Sequence, residues 1–98
     1  MLAKVAARQG RIEEARAIAA EALALADEMD APQAQGDVCL DAAEVLWLVG
    51  DPAGAIRQAE RAASFYRPKG ATVPLARALR LAEVIGSGGE ASAWDRGR

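Results

Sequence analysis

The sequence predicts an all-α protein, and three observations carry that expectation. Alanine dominates an apolar fraction of 52%, while aromatic residues reach only 4%. Alanine has the best intrinsic helix propensity and lets neighbouring helices approach closely. Apolar residues recur at three- and four-residue steps through most of the chain, which is one face of a 3.6-residue period. A glycine-ended phrase also repeats, closing at Gly10, Gly50 and Gly89, 40 and then 39 residues apart. Self-similarity at such a period marks a repeat array.

Residues 2–9 read as a short helix with Leu2, Val5 and Ala6 on one stripe, ended by Gly10. Two turns are too few to be stable alone in water, so this segment must lean on the next helix. Residues 11–29 give the clearest helix, with Ile12, Ala15, Ile18, Ala19, Ala22, Leu23 and Met29 on its apolar face. Glu13 and Glu14 lie in its first turn, where the helix dipole favours negative charge. Asp30 is the expected N-cap of the next helix and Pro32 falls in its first turn. That third helix, 32–49, carries Val38, Ala42, Val45, Leu46 and Val49. Gly36 within it costs roughly 1 kcal/mol against alanine, which argues for a start nearer Asp37. Asp51 caps and Pro52 opens a fourth helix, 52–67, with the stripe Ala55, Ile56, Ala59, Ala62, Ala63 and Tyr66. A fifth, 73–85, carries Leu75, Ala78, Leu79, Ala82 and Ile85. Gly86-Ser87-Gly88-Gly89 then reads as a helix-breaking linker into a short charged tail.

Composition excludes several functions. The 98 residues suffice for one small domain. A formal net charge of −2 gives no support to a nucleic-acid or membrane-surface role. Cys39 is the single cysteine and histidine is absent, so an internal disulfide is excluded and neither a zinc site nor another cofactor is expected. A lone thiol and the lack of a membrane-length apolar run point to a cytoplasmic setting. No catalytic constellation emerges either. Serine occurs only at Ser64, Ser87 and Ser92, and the usual histidine base is missing. Glu13 and Glu14 point about 100° apart as adjacent helix residues. The Gly86–Gly89 string lacks the Lys-Ser/Thr ending of a phosphate loop. The chain is read as a non-enzyme.

The repeated unit is helix, glycine turn, helix, loop. Ala15 and Ala55 each stand five residues after their turn glycine, and Ala22 and Ala62 stand twelve after. The stretches Gly10-Arg11-Ile12-Glu13-Glu14-Ala15 and Gly50 to Ile56, with the later pairs Ala22-Leu23 and Ala62-Ala63, resemble the tetratricopeptide repeat. The likeness covers residues 1–85, as units of about 1–30, 31–70 and a partial 71–89, with 86–98 as a tail. The wording is most similar to the alanine-rich repeat tracts of large bacterial transcription regulators and cyclases. It departs from the family in a period longer than the usual ~34 residues, in small residues at the large aromatic positions, and in a third unit without its second helix.

The resemblance implies a short right-handed α-solenoid of about five helices that binds a protein or peptide. The first helices of successive units would line its groove, which selects Lys4 and Arg8, then Asp37, Leu40, Glu44 and Trp47, then Leu79 and Glu83. Trp47 lies off the main stripe of its helix and has two readings, a groove hot spot or core filling between alanine-rich helices. An incomplete first unit leaves an apolar flank at Leu2, Val5, Ile18 and Leu25. A solenoid end without a polar cap calls for further repeats, a partner or a second copy. Self-association is therefore the alternative function.

Overall fold

The computed structural model describes residues 9–89, which are all-helical. Four α-helices follow one another: α1 (Ile12–Asp27), α2 (Pro32–Leu48), α3 (Pro52–Tyr66) and α4 (Thr72–Gly86), with a 3₁₀ turn at Arg67–Lys69. The expected helix over 2–9 falls almost wholly outside the described residues, as does the tail from 90 onward. Four of the about five expected α-helices thus lie among the described residues.

Turn chemistry sets the boundaries. Gly50 takes φ 87° and Gly88 φ 85°, a left-handed backbone that glycine adopts without a Cβ clash. Both close the same hydrogen-bond pattern. Asp51 N–H donates to Leu46 O (2.8 Å) and Gly50 N–H to Trp47 O (3.1 Å). Gly89 N–H donates to Val84 O (2.9 Å) and Gly88 N–H to Ile85 O (3.1 Å). This is the Schellman ending, which satisfies carbonyls a helix would otherwise leave open. It makes Gly88, not Gly89, the structural counterpart of Gly50. It also carries α4 through Gly86, which the sequence had assigned to the linker.

The helix starts divide between expectation and correction. Asp51 caps α3 as expected, its Oδ1 accepting from Gly54 N–H at 3.0 Å. Asp30 does not cap α2: the N-cap is Ala31, which has no side chain to offer. The junction is held instead by Gln35, whose Nε2 donates to Ala26 O at 2.9 Å and so satisfies a carbonyl at the end of α1. Nor does α2 begin near Asp37, since it runs from Pro32 with Gly36 inside it.

Connections of three to five residues reverse the chain after each helix. The contacts agree: Ala15 and Ala19 near the start of α1 cluster with Val45 and Val49 near the end of α2. Consecutive helices pack on one another, and α2 has buried residues on two sides. Its Val45 and Val49 meet α1, while Cys39, Leu40, Ala43 and Trp47 join Ala55, Ala59, Ala62, Ala63 and Tyr66 of α3 and Ala78, Leu81 and Ile85 of α4. Trp47, only 8% exposed, is core.

Tyr66 is the largest wholly buried side chain. Its ring lies over the backbone of Gly36, where a Cβ would stand 2.7 Å from Tyr66 Cε1. The glycine that looked like a weak point in a helix is thus the place where an aromatic ring fits against it.

Candidate binding groove

Since α2 and α4 each run antiparallel to α3, they run parallel to one another, with a groove between their first halves. Asp37, Leu40, Asp41 and Glu44 of α2 form one wall. They are spaced i, i+3, i+4 and i+7, one helical face. Val73, Pro74 and Arg77 of α4 form the other wall, with Tyr66 also lining the groove, and the space enclosed is about 420 Å³. That lies toward the small end of ligand pockets, ~300–1,000 Å³.

The polar groups are fixed by one another. Tyr66 Oη donates to Asp37 Oδ1 at 2.5 Å. Burial first, and then the bond to Asp37 and the negative charges of Asp37 and Asp41, push the Tyr66 hydroxyl well above the ordinary phenol range. The phenol is thereby held in its donor form toward Asp37. Glu44, only 4% exposed, is met by Arg77 Nη2 at 2.8 Å across the groove. An ionised carboxylate taken out of water is tolerated when it is paired in this way. Outside the groove lining, Arg61 of α3 pairs with Asp27 of α1 and lies 5.5 Å from the Phe65 ring centroid. That pair ties α1 to α3 and takes no part in the groove.

Of the residues expected in the groove, the structure brings Asp37, Leu40 and Glu44 together. Trp47 belongs to the core. Leu79 and Glu83 are exposed on α4 and outside the groove lining. Leu79 lies about 200° round the helix from Arg77, at 100° per residue. The reason is geometric: equivalent residues of successive repeats look the same way, whereas the facing walls of one groove require opposite sides of the two helices. Lys4 and Arg8 lie outside the described residues. Sequence reasoning missed Asp41, Tyr66, Val73, Pro74 and Arg77. Asp41 was accessible from spacing alone, one turn after Asp37. Arg77 was not, because its position depends on how α4 rotates against α3.

The apolar flank is split in the same way. Leu2 and Val5 lie outside the described residues, Ile18 is half-buried against the α1–α2 cluster, and Leu25 is 59% exposed. Ile12 and Met29 are exposed as well, one at the start of α1 and the other just past its end, although the sequence stripe placed both toward the core.

Among the described residues no group of His, Cys, Asp and Glu side chains is arranged to hold a metal ion. Cys39 is buried, and desolvation pushes its thiol above the ordinary value, against the opposing pull of Arg61. No helix among them is long and apolar enough to cross a membrane. No family model, no curated protein and no solved structure matches the chain.

Proposed function

We propose that this chain is a non-catalytic protein-interaction module of the tetratricopeptide kind, a short right-handed α-solenoid that captures a peptide between α2 and α4. The observation supporting this reading is the convergence of Asp37, Leu40 and Glu44 on one groove with Val73 and Pro74 opposite. Its mechanism is binding alone: two fixed helix walls, a mixed apolar and charged lining, and no reacting group. The test is selection of a random nonapeptide display library on the immobilised intact chain. Selected peptides bind the wild type and lose several-fold in affinity to Val73→Asn, which removes ~1.5 kcal/mol of apolar contact at a site 79% exposed and thus without cost to the fold. Peptides indifferent to Val73, or no selected peptides at all, would sink the reading.

A second reading, self-association in a bacterial regulator, is favoured by the concentration of exposed apolar side chains on α1 and just after it, where Ile12, Leu25 and Met29 lie. Leu25→Asp then converts a dimer into a monomer in sedimentation velocity. A wild-type chain that stays monomeric at high concentration rejects it.

A further inference from the structure

We infer that a second copy of this chain docks on α4 through the stripe Leu75, Leu79, Ala82 and Gly86, in an antiparallel α4–α4 contact about a twofold axis. This goes beyond both readings above, since it uses neither the peptide groove nor the apolar residues of α1. The template is α2, which is buried on two faces. Val45 and Val49 meet α1, while Cys39 and Ala43, with Leu46 beside them, join the cluster shared with α3. At about 100° per residue these two faces lie roughly 100° apart. The pattern returns in α4, 36 residues further on. Leu81 and Ile85 stand where Val45 and Val49 stand, and Leu75, Leu79 and Ala82 where Cys39, Ala43 and Leu46 stand. The first face of α4 is buried, with Leu81 at 0% and Ile85 at 5% exposure. The second is open. Leu79 is 45% exposed where its counterpart Ala43 is wholly buried, and Leu75 and Ala82 are only half-buried.

In α2 an antiparallel helix covers this face, and the open face of α4 is shaped for an antiparallel copy of itself. Its residues fall at i, i+4, i+7 and i+11, one helical stripe, with both leucines in the first half and Ala82 and Gly86 in the second. A twofold axis through the middle of the stripe sets Leu75 of one copy against Gly86 of the other, and Leu79 against Ala82. Large meets small at each level, so the ridges of one helix enter the gaps of the other. Gly86 leaves room for this, with nothing within 4 Å of a Cβ built on it. Such a contact uses one self-complementary patch on both copies and closes on itself, the commonest symmetry of soluble oligomers. A contact made by one pair of 15-residue helices belongs to the small class of interfaces, below ~1,200 Å², and is weak and concentration-dependent.

The test is sedimentation velocity on the intact chain from about 10 µM to about 1 mM, the range of a weak contact. The wild type should pass from monomer to dimer. Leu79→Ala should raise Kd about tenfold or more, because each copy loses about half of a leucine's apolar burial and the twofold counts that loss twice. Gly86→Leu, at an exposed position, fills the space that Leu75 needs and should also prevent association; adding Leu75→Ala should restore it. Circular dichroism checks that each variant is folded, and the Gly86→Leu pair carries the test should Leu79→Ala unfold. Leu25→Asp should leave this dimer intact. A wild type still monomeric at about 1 mM overturns the inference. A dimer indifferent to both Leu79→Ala and Gly86→Leu overturns it as well, and loss of that dimer in Leu25→Asp assigns the contact to α1 instead.

Discussion

Gly36→Ala separates local helix propensity from tertiary fit, and the two give opposite signs. In an isolated helix the substitution stabilises by about 1 kcal/mol. In this fold the added methyl would stand 2.7, 2.9 and 3.0 Å from Cε1, Cζ and Cδ1 of Tyr66. Carbon atoms prefer ~3.5–4.0 Å, so the ring must retreat by close to 1 Å. Tyr66 is wholly buried in a cluster rich in alanine, and its retreat would disturb the groove that it also lines. Overpacking of this kind costs ~1–3 kcal/mol. Moving the ring also stretches the 2.5 Å bond from Tyr66 Oη to Asp37, whose loss adds ~1 kcal/mol. The net is a destabilisation of about 1–3 kcal/mol. In a domain of this size that lowers Tm by roughly 5–20 °C, read by far-UV circular dichroism. Gly86→Ala supplies the control: the same chemical change in a helix, with nothing within 4 Å of the new Cβ, should leave Tm unchanged or slightly raised. In a Tyr66→Ala background the clash disappears and Gly36→Ala should turn stabilising. A single Gly36→Ala variant more stable than the wild type would refute the assignment of Gly36 to the Tyr66 contact.

Two further predictions concern the polar groups of the groove. Tyr66→Phe should remove an alkaline instability. Burial and Asp37 raise the Tyr66 hydroxyl in the folded state, so the unfolded chain loses this proton first, near pH 10. The tyrosine's contribution is complete below about pH 10 and is lost above it, with a limiting slope of ~1.4 kcal/mol per pH unit. Urea midpoints across that range should fall more steeply for the wild type than for Tyr66→Phe; parallel profiles would count against the buried, bonded phenol. Arg77→Met should destabilise by up to ~3 kcal/mol because it strips the buried Glu44 of its guanidinium, the partial exposure of Arg77 keeping the loss below that of a fully buried pair. Adding Glu44→Gln should restore most of the urea midpoint, whereas additive losses would mean that the two side chains act independently.

How far the sequence reached depended on whether a residue answers to its neighbours in the chain or to another helix. Asp51 followed by Pro52 specifies a helix start by itself, and the cap is found where those two residues predict it. Asp30 before Pro32 has the same look, yet the chain enters α2 through Ala31, with Gln35 reaching back to Ala26. The difference is one residue of spacing: Asp51 directly precedes its proline and so falls at the N-cap, whereas Ala31 stands between Asp30 and Pro32 and takes that position. Trp47 was ambiguous because a single-stripe reading assumes one buried face, and α2 is buried on two. Ile12 and Met29 were assigned to the core on periodicity, but α1 meets Val45 and Val49 of α2 chiefly through Ala15 and Ala19, and so narrow a seam leaves Ile12 and Met29 exposed.

The groove divides along the same line. Asp37, Leu40 and Glu44 share a face by spacing, a property of one helix, and they were legible as a set. Val73, Pro74 and Arg77 complete the site only because α3 holds α4 parallel to α2 and turns that side toward it. The sequence by itself determined the four described helices, the glycine ending at Gly50 and the alanine seams, since these depend on backbone torsion and on side-chain volume within a few residues. Tertiary structure alone decided which faces meet, because the rotation of one helix against another is fixed by contacts between residues far apart in the chain. Gly36 shows both at once: a flaw in its own helix, and the seat of the Tyr66 ring.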